Sequence, residues 1–215
     1  MASFIARMTA HDRASEAAVG LIIALATRGT FRIAGGHDVD PFVLAAASLG
    51  ASIAWGLVDA AIFVLAAKGT RLRWWHITTN SDPHSMVARK WAHEALEQTF
   101  LHNLSSSTRS GILNEIVAEG ARAQPSNPRL RREDWLTGAA VFLVVVVAGL
   151  PAIAPLLLFS DADVGSWVSY GVAMLMLFAL GAHWGPAHGL NRLRSGVAML
   201  AIGACLTGLV IVLGG

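Results

Sequence analysis

Phe42–Ala67 reads FVLAAASLGASIAWGLVDAAIFVLAA, an apolar run broken by a single charge, Asp59. A helix crossing a hydrocarbon layer of roughly 30 Å needs about 20 mostly apolar residues, so this stretch is long enough to span. Three more stretches have the same character. Leu136–Phe159 and Ser195–Leu213 carry no charge, and Gly165–Gly185 has only His183 titrating near neutral pH. A fifth, Ala14–Gly35, has a shorter apolar core, Ala17–Thr27, followed by Arg28 and Arg32. Counting it as a span gives an all-α polytopic membrane protein with five transmembrane helices.

Composition agrees. Hydrophobic residues make up 54% and charged residues 14% of the 215, against about 25% charged in a soluble domain. The net charge of +2 is too small an excess for a nucleic-acid surface. One cysteine, Cys205, excludes an intrachain disulfide and a cysteine-built metal centre. Met1–Thr9 lacks the long apolar core of a secretory signal, so the N-terminus is expected to be retained.

The distribution of charge sets the orientation. Lys68–Glu133 holds ten basic residues: Lys68, Arg71, Arg73, Arg89, Lys90, Arg109, Arg122, Arg129, Arg131 and Arg132. Basic residues accumulate on the cytoplasmic side, which places this segment there. Ser160–Val164 carries Asp161 and Asp163 and no base, whereas Asn191–Arg194 carries Arg192 and Arg194, an alternation that fits outside then inside. The N-terminus is then cytoplasmic and the C-terminus outside. The organisation is 1–67, a tail and helices 1–2; 68–133, a cytoplasmic helical domain; and 134–215, helices 3–5. Inside the middle segment Ser85–His102 and Ser110–Ala123 read as a helical hairpin, with Asn103–Arg109 as the break and Pro125 and Pro128 as the end.

An acid in the middle of an apolar helix costs about 2.5–3.5 kcal/mol on insertion scales and normally faces protein or water. Asp59 is therefore either a proton or cation site or a protonated packing contact. Ser48, Ser52, Trp55 and Asp59, spaced by four, three and four, form a polar-tinged stripe. Glu16 stands near the start of the first helix, where the helix dipole alone would favour an acid and a site role is the alternative. His93 and Glu97 are four apart, as are Glu115 and Glu119, and Glu94 adds an acid; such pairs chelate divalent ions or simply line a solvated face. Pairs of small residues, Ser48 with Ser52 and Gly181 with Gly185, offer surfaces for close helix approach. There is no Walker loop, catalytic triad or HExxH helix, so an enzyme is not expected.

The run Asp12-Arg13-Ala14-Ser15-Glu16 followed by Gly20-Leu21-Ile22, then Ala54-Trp55-Gly56-Leu57-Val58-Asp59 and Asp134-Trp135, resembles a short bacterial branch grouped with the vacuolar iron transporter family. The layout resembles that family along nearly the whole chain. The resemblance implies five spans, a cytoplasmic metal-binding domain between the second and third, and exchange of ferrous or manganous ions for protons. It also implies a homodimer in a bacterial inner membrane, with acids and a methionine lining its path. Where iron transporters carry Asn-Asp-Gly in the first helix, this chain reads Ile23-Ala24-Leu25-Ala26-Thr27, and Glu16 alone maps by position onto a family acid.

The expected function is transport of a divalent transition-metal ion, iron or manganese. Glu16 and Asp59 are the path acids, and His93, Glu94, Glu97, Glu115 and Glu119 gather the ion at the mouth. Oxygen and imidazole donors suit those metals better than copper. The rival is a non-transporting scaffold or regulatory subunit that binds a partner through Ile112, Leu113, Ile116 and Val117, which repeat at helix spacing.

Overall fold

The computed structural model describes residues 10–35, 40–79, 86–97, 100–123 and 127–213, and these are helical with no strand among them. The helices are α1 (Ala10–Gly35), α2 (Pro41–Thr79), α3 (Met86–Glu97), α4 (Ser106–Arg122), α5 (Arg132–Leu158), α6 (Ala162–Trp184) and α7 (Arg192–Leu213), with single 3-10 turns at Phe100–Asn103 and Gly185–His188. Judged on the described residues, four of them, α2, α5, α6 and α7, are long and apolar enough to cross a membrane. At 26 residues, or about 39 Å, α1 is also long enough to cross. Its backbone stays helical through Arg28 and Arg32, whose side chains lie outside the described residues.

Helix starts follow capping chemistry. Asp40 accepts the Phe42 amide at 2.8 Å ahead of Pro41, and Asp161 accepts those of Asp163 and Val164 at 2.9 and 3.1 Å. Asn191 takes the amides of Leu193 and Arg194 in the same way. Each side-chain oxygen satisfies amides that the first helical turn leaves unpaired. The serine run expected to separate two helices instead begins one: Ser105 accepts the Thr108 amide and α4 starts at Ser106, four residues earlier than the periodicity indicates. Of the expected helix Ser85–His102, Met86–Glu97 is α-helical and Phe100–His102 belongs to a 3-10 turn.

The chain divides into two compact units, residues 62–135 and the remainder. In the larger unit the core joins Ala18, Leu21, Ala24 and Leu25 of α1 to Leu44 and Ala45 of α2, Ala152, Ile153 and Leu156 of α5, and Ala173 and Leu177 of α6. Met174, Met176 and Met199 pack against it as ordinary apolar groups. α1, α2 and α5 cross closely at Gly20, where a Cβ would run into the Val145 carbonyl, and at Gly149, where one would sit 3.2 Å from Ser52 Oγ. Small residues at such crossings let helix backbones approach where lipid supplies no hydrophobic drive. Between Pro151 and Pro155 of α5, the Ala152 carbonyl accepts a hydrogen bond from the buried Ser169 hydroxyl of α6.

Two expectations change here. The stripe on α2 runs Ser48, Ser52, Gly56, Asp59: Trp55 is 52% exposed, while Gly56 packs on Phe142 and Val145. Both spacings fit a helix, but the space under α5 is tight, a Cβ at Gly56 standing 3.2 Å from the Phe142 ring, and an indole does not fit there. The small-residue pairs are also used inside the chain, because Gly181 and Gly185 pack on Ser195 and Met199, and Ser48 and Ser52 are fully buried.

In the smaller unit, Ile77 from the end of α2 packs with Ala88 and Ala92 of α3 and Val117 of α4, with Trp91, Leu113 and Ile116 at the edge. His76 stacks on Trp91 at 5.1 Å and 3°. The face of Leu113, Ile116 and Val117, which the scaffold alternative needs for a partner, is thus occupied within the chain.

Candidate functional site

Glu16 lies in the second turn of α1 and is only 9% exposed. Asp59 lies on α2, and the two carboxyls are close enough to interact, with Asp12 one turn earlier on α1 adding its charge. Glu16 Oε2 and Asp59 Oδ2 are buried without a hydrogen-bond partner, and so is Ser48 Oγ further along the same stripe. Buried polar atoms are nearly always satisfied, so three orphans on one line of one interface mark a place built for something other than packing. Ser52, between them, donates to the Ser48 carbonyl at 3.0 Å. From Asp59 to Ser48 is eleven residues, about 16 Å along the helix, so the line covers half of a bilayer core.

Chemically, two facing carboxyls can hold a proton between them or offer several oxygens to a cation, and they repel when both are charged. The sequence indicated both acids separately; the structure brings them together. Asp59 is met by a second acid on a neighbouring helix.

The residues expected at the mouth are distributed differently. His93 Nδ1 and Glu97 Oε1 are 3.4 Å apart on α3. Glu94 faces Lys90 at 4.0 Å, Glu119 faces Arg122 at 3.6 Å on α4, and Glu115 is exposed. Each described contact stays on its own helix. Among the described residues no three His, Cys, Asp or Glu groups are placed to hold a metal ion. His188 lies against the Trp184 ring at 4.1 Å, as an interfacial anchor would.

Sequence reasoning missed one site feature. Beyond the apolar stretch of α2, Arg71 donates from Nε and Nη2 to the two oxygens of Asp134, both at 2.9 Å. Asp134 also takes the Arg131 amide at 2.7 Å. These bonds, the guanidinium first, hold its carboxyl below the usual carboxylate range against the opposing effect of burial. Next to the pair is a pocket of about 440 Å³ lined by Ala67, Thr70, Arg71, Trp74, Asn127, Arg131 and Asp134. The signal in the sequence is faint: Asp134-Trp135 follows the basic tether, but its partner is 63 residues away.

Four apolar helices of membrane-crossing length, with two acids meeting between α1 and α2, define a polytopic helical membrane protein. A family model extends the definition: the VIT family matches residues 75–215, well over half of the chain, and the chain belongs to that family. Its family associates it with metal-ion transport across membranes. The matched stretch contains His93, Glu94, Glu97, Glu115 and Glu119, while Glu16 and Asp59 precede it. No curated protein matches the chain.

Proposed function

We propose that this protein moves a divalent transition-metal ion, iron or manganese, out of the cytoplasm in exchange for protons. The observation that carries the reading is the facing pair Glu16 and Asp59, with an orphaned buried oxygen on each. Holding two acids in an apolar helix interface costs several kcal/mol, which a cargo offsets and packing does not. Carboxylate oxygens are suitable donors for ferrous or manganous ions, which take about six ligands; the pair supplies part of the shell, and water or the same pair of a second copy completes it. Exchange follows because a proton and a metal ion compete for the same oxygens.

In this reading α1 crosses as a fifth span. Its packing through Gly20 against α5, and of Glu16 against Asp59, supports a place within the bundle rather than on the membrane surface. Residues 68–133 and the N-terminus are cytoplasmic, the C-terminus is outside, and the assembly is a homodimer in a bacterial inner membrane. His93 with Glu97 is a preformed i,i+4 pair that captures the ion, with Glu94, Glu115 and Glu119 adding negative charge near the entrance. No catalytic step and no resident cofactor belong to this reading; the metal is cargo.

The test is uptake of ferrous and manganous ions into proteoliposomes with an internal pH dye. Wild type is expected to couple metal movement to an opposite proton movement, and Glu16→Gln and Asp59→Asn each to lose both by at least about tenfold, since each removes a donor and a proton carrier. Wild-type rates in the double variant would remove the pair from the path. Titration calorimetry of the purified protein with iron, manganese and zinc then identifies the ion.

A further inference from the structure

We infer that the pocket between α2 and the tether before α5 is a binding site for the phosphate headgroup of an anionic phospholipid. Ala67, Thr70, Arg71 and Trp74 stand at i, i+3, i+4 and i+7, so they form one face of α2. Opposite them are Asn127, Arg131 and Asp134. The tether is held in shape by two side-chain caps, Asn127 Oδ1 on the Arg129 amide at 2.9 Å and Asp134 Oδ2 on the Arg131 amide at 2.7 Å. The wall that would meet a ligand is therefore organised in advance.

Charge identifies the ligand class. Arg71 and Asp134 neutralise each other through their paired hydrogen bonds, which leaves Arg131 as the excess positive charge of the lining. Around it Lys68, Arg129 and Arg132 outnumber the single neighbouring acid, Glu133. Position separates a lipid from a free anion. Ala67 ends the apolar run of α2, and Leu136 begins that of α5, so the pocket opens at the boundary between hydrocarbon and water. Trp74, 49% exposed, and Trp135, 62% exposed, are placed as interfacial aromatics at headgroup level. An indole and an alanine at the mouth give a glycerol and acyl chain something to lie against, and a soluble phosphate nothing. Basic pockets facing the cytoplasmic leaflet meet anionic lipid as their commonest anion. The site is independent of what the chain carries.

Native mass spectrometry of the full chain in detergent tests it, with phosphatidylglycerol against phosphatidylcholine. Wild type is expected to retain phosphatidylglycerol more strongly. Arg131→Gln, which removes the charge, and Ala67→Phe, which fills the pocket and keeps the charge, are each expected to weaken retention about fivefold, the effect of roughly one cation at an anionic surface. Arg109→Gln on α4 removes the same charge elsewhere and should leave retention as in wild type. Thr70→Leu serves as the filling variant if Ala67→Phe does not fold. Equal loss in Arg109→Gln, full retention in a folded filling variant, or equal retention of phosphatidylcholine overturns the site. Soluble glycerol phosphate displacing the lipid at equal concentration overturns the assignment to a lipid rather than a free anion.

Discussion

Arg71 and Asp134 are 63 residues apart in sequence and joined by two parallel hydrogen bonds of 2.9 Å, with side chains 22% and 11% exposed. The fork of a guanidinium matches the two oxygens of a carboxylate, so the pair fixes orientation as well as distance. It ties the far end of α2 to the first turn of α5 inside the smaller unit.

Removing one partner leaves the other charge mostly buried. Asp134→Asn or Arg71→Gln is expected to destabilise the protein by about 2 kcal/mol, less than the roughly 3–5 of a fully buried pair because both groups keep some solvent contact. Urea unfolding of the full chain in detergent measures it. The cost also depends on pH. The Asp134 carboxyl is held below its ordinary value by Arg71, so its contribution is complete above the unfolded value near 4 and is lost as pH falls through the lower folded value. Wild type should therefore lose stability with acid in that window by a component that Asp134→Asn lacks; identical acid profiles would refute the pairing.

Glu16 and Asp59 should behave as one unit. Groups in direct contact give coupling energies of about 0.5–3 kcal/mol, whereas separated sites add within about 0.5. In a cycle of Glu16→Gln, Asp59→Asn and the double variant, thermal stability in detergent is expected to be non-additive by about 1 kcal/mol. Strict additivity would mean that the two side chains do not meet.

The crossing at Gly20 predicts opposite effects for one kind of substitution at two positions. A methyl group at Gly20 collides with the Val145 backbone, which cannot rotate away, while at Gly171 it enters open space. Gly20→Ala is expected to cost about 1–3 kcal/mol through overpacking. Gly171→Ala, in mid-helix, should instead gain up to about 1 kcal/mol from helix propensity. Thermal unfolding of both variants beside wild type checks the sign.

What the residues disclosed, and what they withheld, follows from range. The apolar stretches of α2, α5, α6 and α7 are local patterns and were legible, as was the isolation of Asp59. The continuation of α2 to Thr79 was not, since Lys68-Gly69-Thr70-Arg71 resembles a tether; Ile77, at its far end, is buried against α3 and α4. The swap of Trp55 for Gly56 in the buried stripe depends on how near α5 comes, which no spacing within α2 records. Contacts of Glu16 with Asp59 and of Arg71 with Asp134 join residues far apart in sequence, and each partner has an adequate local explanation alone. The residues expected at the mouth were visible as the i,i+4 pairs His93 with Glu97 and Glu115 with Glu119, but such pairs carry no information about whether two helices bring them together.

Orientation is the remaining prediction, and charge decides it. Lys68–Glu133 holds ten bases, and Ser160–Val164 holds Asp161 and Asp163 and no base. With Cys205→Ser as background, a membrane-impermeant thiol reagent applied to right-side-out vesicles should label Ser160→Cys and leave Ser106→Cys unlabelled until the membrane is opened. Ser15→Cys, on the exposed side of α1, discriminates the span count. Because α2 enters from the outside, an α1 that crosses puts residue 15 on the cytoplasmic side with Ser106, and one that does not puts it outside with Ser160. Labelling of Ser15→Cys in sealed vesicles would reduce the count to four spans and place Glu16 near the outer rather than the inner mouth of the path.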